Sequence, residues 1–259
     1  MNYKAVALDL DGTLLNSNGH ISEKNKHKLI QLSDAGVLLI LATGRYFVQM
    51  TRILDHLNFS GIIISTDGAV TIDVGQKKVL NINSFSVQDV EQTIRLCRER
   101  DIHIAVNTPF QYFVESVSDF HKTHYQKYET RYEVTPDLLQ IKDQIIKLVV
   151  SDHRFVNGWQ HVKYGEHLRK RADGEHYKEI VHKNTFKTNA LRDVLDLYQV
   201  APEELIAIGD YTNDIDMLQF AGMGIAMGNA PDEVKRIAND VTKTNDEDGV
   251  CFALEKFFV

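Results

Sequence analysis

Short apolar runs that stop abruptly on chemically capable residues constrain this chain more than any other feature. Ala5 to Asp9 leads into Leu10-Asp11-Gly12-Thr13, Val37 to Ala42 into Thr43-Gly44-Arg45, and Leu205 to Gly209 into Asp210-Tyr211-Thr212-Asn213-Asp214. A continuous apolar run of this length is what a parallel strand covered on both faces needs. Ile62-Ile63-Ile64 and Met223 to Met227 read the same way, with a short further strand near Val241. Helix-patterned segments separate them. Ser22 is a candidate N-cap for a helix carrying Leu29, Ile30 and Leu32 that ends at Gly36, and a second helix runs through Leu57. Thr185 is placed to cap a helix whose apolar face is Ala190, Leu191, Val194, Leu195 and Tyr198, and Pro231 to Ala238 forms another. The alternation predicts an α/β fold with a doubly wound, parallel, Rossmann-like core, strand order 3-2-1-4-5.

One connection is too long for that scheme. A parallel crossover needs a dozen or more residues, and about 140 lie between Ser65 and Leu205. The surplus predicts an inserted α+β domain at residues 83–185, leaving 1–82 and 186–259 as the core. Within the insert the pattern reads helix (Val87 to Arg100), strands (His103 to Val106 and Tyr112 to Glu115), helix (around His121 to Tyr132), strand (Ile145 to Val150), helix (around Trp159 to Arg171) and strand (Tyr177 to His182). Its 8 histidines of the chain's 11 have no metal-ligand spacing, and His121, Tyr125, Tyr128 and Tyr132 share a helical face as packing residues.

Composition narrows the function classes. Of 259 residues 43% are hydrophobic and 25% charged, which sets aside disordered, collagenous and coiled-coil chains. The formal net charge of -7 argues against nucleic-acid or acidic-membrane partners, so an anionic substrate needs a local cation. No apolar run approaches the ~20 residues of a membrane span, and the start carries no signal-peptide pattern, so a cytoplasmic location is expected. Cys97 and Cys251 are too few for a disulfide scaffold and read as small buried apolar residues.

Asp9 and Asp11, two residues apart at a strand end, point into the same space. A calcium loop starting at Asp9 would require glycine at 14 and glutamate at 20, where Leu14 and His20 stand. Thr43-Gly44 closes a strand and opens a helix, whose terminal amides form an anion site. Lys187 sits in the first turn of its helix, where the dipole disfavours a cation, yet at i-3 and i-4 from Ala190 and Leu191 it shares the inward face. That helix precedes a parallel strand, so it starts at the carboxyl edge of the sheet, with Asp9, Thr43 and Asp210. Four acids there, Asp9, Asp11, Asp210 and Asp214, require a counter-charge, and all-oxygen ligands favour magnesium. A metal, a lysine and helix-terminal amides around a carboxylate nucleophile are the parts of phosphoryl transfer. Gly222, Gly224 and Gly228 do not make a dinucleotide loop, because Met227 stands where the third glycine belongs.

These motifs, in this order, resemble the haloacid dehalogenase superfamily of phosphohydrolases. The position of the insert, the stretch Ala226-Met227-Gly228-Asn229-Ala230 and the stretch Asp246-Glu247-Asp248-Gly249-Val250 are similar to its Cof-type subfamily, whose insert is a type II, subclass B cap. The resemblance implies a phosphatase in which Asp9 attacks phosphorus and Asp11 protonates the leaving oxygen, then activates water. It implies magnesium held by Asp9, the backbone carbonyl of Asp11 and Asp210, with Asp214 in support. The transferring group would be held by Thr43, the amides of Leu10 and Gly44, Lys187 and Asn213. Two residues depart from the pattern: Asp67, where many members have asparagine, and Thr188, where a glycine is common. The expected substrate is a small phosphorylated metabolite, a sugar phosphate first. A phosphosugar mutase and a non-enzymatic phospho-acceptor switch would use the same residues.

Overall fold

The computed structural model describes residues 3–127, 130–152, 164–174 and 176–258. The chain opens with β1 (Ala5–Leu8), α1 (Glu23–Asp34), β2 (Leu38–Ala42), α2 (Thr51–Leu57), β3 (Ile62–Ser65), β4 (Val70–Asp73) and β5 (Lys78–Ile82). Then follow α3 (Glu91–Glu99), β6 (His103–Asn107), β7 (Tyr112–Val114), α4 (Asp119–Lys127), β8 (Glu133–Val134), β9 (Lys147–Ser151), β10 (Leu168–Asp173) and β11 (Tyr177–His182). It closes with α5 (Lys187–Tyr198), β12 (Leu205–Gly209), α6 (Ile215–Phe220), β13 (Met223–Ala226), α7 (Asp232–Ile237), β14 (Asp240–Val241) and α8 (Gly249–Leu254). These elements form two compact units, one of residues 1–46, 51–81 and 186–259, the other of residues 47–50 and 82–185. No helix among the described residues is long and apolar enough to cross a membrane.

The first unit is built on the sheet β14-β13-β12-β1-β2-β3-β4-β5. From β14 to β3 its pairs are parallel, in the order expected from the sequence, and β4 returns antiparallel on β3. Register aligns Leu8 with both Leu41 and Ile208, so β1, β2 and β12 end together and release their polar residues at one edge. Both faces of β1 are dry because its residues are at most 1% exposed. On one face Ala5, Ala7, Ile40, Ile62 and Ala207 pack with Ala190, Leu191, Val194 and Leu195 of α5. Each fully buried Leu or Ile stabilises the unit by about 1.5–3 kcal/mol. Ser22 caps α1 as expected, its Oγ accepting the Asn25 N–H at 3.2 Å.

The structure corrects three local expectations. The cap position of α5 is Phe186, not Thr185, whose buried Oγ1 has no hydrogen-bond partner. The helical turn after β2 begins only at Phe47, so Thr43 is not an N-cap; its Oγ1 instead accepts the Arg45 N–H at 3.1 Å within a bend. Of the helix expected around Trp159 to Arg171, residues 159–163 lie outside the described residues and Leu168 to Arg171 belong to β10. A bulge between Lys170 and Ala172 puts an extra residue into that strand, which breaks the two-residue alternation that marks a strand in sequence. Tyr128 also lies outside the described residues.

The second unit is a sheet of order β10-β11-β9-β6-β7-β8. One face carries Ile104, Val106, Leu148, Val150 and Ile180 against Ile94 and Cys97 of α3. On the other, the Tyr125 ring of α4 packs with Ala105, Tyr112 and Val114. Farther along, Glu179 accepts from Lys147 at 2.9 Å and from Arg171; burial opposes its charge, but the two cations hold its pKa at about 2. The His103 and His121 rings stack at 3.8 Å, with His103 Nε2 2.6 Å from the Tyr125 hydroxyl. Burial first, then the neighbouring His121 and His124, push His103 down to about 3. An unfolded chain takes up that proton near pH ~6.5, so folding loses stability progressively as pH falls from about 6.5 towards about 3. The apparent melting temperature should therefore drop between neutral and mildly acidic buffer. His103→Gln, which does not titrate, should give a flatter profile; equal slopes would remove His103 as a cause.

Candidate active site

Asp9 follows directly from β1 and is 6% exposed; its Oδ1 accepts from Lys187 Nζ at 2.5 Å. The same ammonium donates to Asp214 Oδ1 at 2.7 Å. Lys187 starts α5, where the helix dipole opposes it, and burial opposes its charge further, but Asp9 and Asp214 outweigh both and hold it protonated. The other oxygen of Asp214 accepts the N–H groups of Asp210 and Tyr211, each at 3.1 Å, which folds the loop after β12 around a carboxylate. Asp210 is anchored by Thr13 Oγ1 at 2.9 Å and by Asn229 Nδ2 at 3.4 Å. Gly12 at φ +80° makes this approach possible: a Cβ there would lie 2.3 Å from Asp210 Oδ2.

One carboxylate oxygen from each of Asp9, Asp210 and Asp214 lies within 4.8 Å of the others. Burial, then Asp214 and Asp210, drive Asp9 up to about 8 against the pull of Lys187, and burial likewise raises Asp210 to about 6. One lysine does not neutralise three crowded acids. An all-oxygen donor set, partly buried and held open by a residue without a side chain, suits a hard divalent cation. Asp11 is not part of this triad. Its carboxylate makes a two-point ion pair with Arg45, Nε to Oδ2 at 2.8 Å and Nη2 to Oδ1 at 2.6 Å, and both side chains are accessible.

The remaining expected residues sit around this cluster. Thr43, 1% exposed, and Gly44 follow β2; Leu10 lies between the two acids, its carbonyl accepting the N–H groups of Thr13 and Leu15. Asn213 Nδ2 donates to Asp67 Oδ1 at 3.4 Å. Arg45, Thr13 and Asn229 received no role from the sequence. Arg45 carries the one available signal, a cation immediately after the Thr43-Gly44 strand end.

A family model for haloacid dehalogenase-like hydrolases matches residues 6–254. The chain belongs to the haloacid dehalogenase-like hydrolases. This hydrolase is 31% identical to a 5-amino-6-(5-phospho-D-ribitylamino)uracil phosphatase of Bacillus subtilis, across 98% of this chain and 97% of that one. Crystal structures of a haloacid dehalogenase-like hydrolase from Bacteroides thetaiotaomicron (30% identity, TM-score 0.85) and of a protein from Thermotoga maritima (26%, TM-score 0.90) each cover 99% of this chain. They are themselves covered over 100% and 98% of their lengths. The haloacid dehalogenase-like chain is a phosphoric monoester hydrolase of the Cof type, a family of phosphatases that act on small phosphorylated substrates. Its buried triad is where a divalent metal would be held.

Proposed function

We propose that the protein is a magnesium-dependent phosphatase of a small phosphorylated metabolite, sugar or polyol phosphates foremost. The pairing of Asp9 with Lys187 beside Asp210 and Asp214 carries this reading, because it combines a buried carboxylate nucleophile, a fixed cation and a hard-metal donor set. Asp9, Asp210 and Asp214 would hold Mg²⁺, with the Asp11 carbonyl completing the protein ligands; when bound, the ion neutralises charge on the phosphoryl oxygens. An Asp9 carboxylate oxygen attacks phosphorus as the ester P–O bond breaks, and Asp11, protonated from solvent on leaving Arg45, gives that proton to the departing alkoxide. Asp11 then takes a proton from water, whose oxygen attacks the aspartyl-phosphate and releases phosphate and free Asp9. The Asp11–Arg45 pair is exposed, so releasing Asp11 for this task costs little, about 0–1 kcal/mol. Lys187, Thr43, Asn213 and the amides of Leu10 and Gly44 hold the transferring group.

These residues address only the phosphoryl group. Selection among leaving groups is assigned to the unit of residues 47–50 and 82–185, taken as the cap. One relative's name places the phosphate on a ribityl chain, which is the same chemical class as the substrates favoured here.

Phosphate release measured over a panel of sugar, polyol, nucleotide and cofactor phosphates, with and without Mg²⁺, tests the proposal. Activity on sugar or polyol phosphates that chelation removes and Mg²⁺ restores is the expected outcome; no release from any compound with metal present would overturn it. A mutase would instead need a bisphosphate activator and release little phosphate. Asp11→Asn should slow turnover by ~10²- to 10⁴-fold and let the phospho-enzyme accumulate, as read by acid-quench trapping. A wild-type acyl-phosphate that persists for minutes would point to a phospho-acceptor switch instead.

A further inference from the structure

Residues 66–68 are the most strained backbone near the site. Thr66, Asp67 and Gly68 are all left-handed, at φ 50°, 52° and 102°. For a β-branched threonine this is a genuine outlier, and strain of this kind persists only where the surroundings enforce it. The surroundings here are the site itself. The Thr66 N–H donates to the Arg45 carbonyl and the Asp67 N–H to the Thr43 carbonyl, both at 2.9 Å, while a Cβ on Gly68 would lie 2.5 Å from the Phe186 carbonyl, the residue before Lys187. The turn is thus wedged between the strand end that carries Thr43 and the helix start that carries Lys187. It places the Asp67 carboxylate, 8% exposed, within hydrogen-bond reach of Asn213.

Asp67 is therefore a fifth carboxylate at a site that must accept a phosphoryl dianion. It lies outside the oxygen triad. Its Oδ1 takes a proton donor, Asn213 Nδ2, and its charge adds to those of Asp9 and Asp214 in the field at Lys187. Both groups are ones that, on the proposed function, hold the transferring phosphate. A carboxylate fixed beside them competes for the same donors and repels the same charge, and in a partly dry site such repulsion is weakly screened.

We propose that Asp67 is a positioning residue that weakens the site's grip on free phosphate, acting as a built-in competitor that favours product release over product retention. The inference rests on the phosphatase reading. It differs from a purely structural role because it predicts tighter binding when the residue is neutralised, which damage to the fold does not produce.

The test is product inhibition. With p-nitrophenyl phosphate as reporter substrate and Mg²⁺ present, the inhibition constant of inorganic phosphate should fall roughly ten-fold in Asp67→Asn, a variant that tolerates the left-handed backbone well. KM should fall with it, while kcat stays level or decreases as release slows. Asp67→Ala should also bind phosphate more tightly, which separates loss of charge from a new amide hydrogen bond. Calorimetric titration of each protein with inorganic phosphate and Mg²⁺ gives the same comparison without turnover. Active variants with an unchanged or larger inhibition constant overturn this inference alone. Absence of both turnover and phosphate binding in wild type and variants overturns it together with the function on which it rests.

Discussion

Asp9→Asn should abolish turnover, by about 10⁴-fold or more, because an amide oxygen of nearly the same shape lacks the charge needed to displace an alkoxide from phosphorus. The same substitution should leave the protein as stable as before, or more so without metal. Asp9 is buried against two other carboxylates, and burial with those neighbours already pushes its pKa up to about 8. Removing a charge that the folded state resists costs little in folding, because Lys187 keeps Asp214 as its partner. Phosphate-release assays alongside thermal melts check both halves. Near-normal turnover would contradict the nucleophile assignment, and a melting temperature many degrees lower would show that the side chain's role is chiefly structural.

Lys187→Ala should do the opposite and damage stability and activity together. Lys187, 3% exposed, is held by Asp9 and Asp214, and among the described residues no second cation bonds to those two carboxylates. Removing one partner of a buried ion pair leaves uncompensated charge and costs about 3–5 kcal/mol. The defect should grow with pH, because Asp9, pushed up to about 8 by burial and its acidic neighbours, is relieved by protonation in acid and repels Asp210 and Asp214 once ionised. Denaturant unfolding of wild type and variant at mildly acidic and mildly alkaline pH measures this. A variant matching wild type at both would show that Lys187 does not carry the charge balance of the buried acids.

That lysine shows how the site could be read before any coordinates. Lys187 stands in the wrong turn of its helix for a cation and on the wrong face for a solvated one, and a helix that feeds a parallel strand must begin at the carboxyl edge. Asp9, Asp210 and Asp214 were visible for a related reason, since each ends or follows a run too apolar to be exposed. The unread parts share a different cause. Arg45 acts through a tertiary ion pair with Asp11, 34 positions away, and local pattern does not record such partners. The antiparallel return of β4 after a left-handed turn depends on backbone angles that Thr66 and Asp67 do not advertise. In β10 the bulge erased the alternation. The start of α5 shifted by one residue because an extended Phe186 serves as its cap without a side-chain hydrogen bond.

The loop after β1 is completed from far along the chain. Asn229 Nδ2 donates to the Gly12 carbonyl at 2.8 Å, Asn245 Nδ2 to the Leu15 carbonyl at 2.9 Å, and Asp246 accepts from Ser17. These links span 217, 230 and 229 residues. During synthesis, at about 5–20 residues per second, Asp9 and its loop precede by some tens of seconds the residues that fix them. A nascent chain that has reached residue 204 has β1 without its neighbour β12, Asp9 with its lysine, and no Asp210 or Asp214. On the proposed function, a chain that stops short of Asp210 lacks two of the three acids of the oxygen triad, so the site is completed only when the stretch beyond β12 has been made.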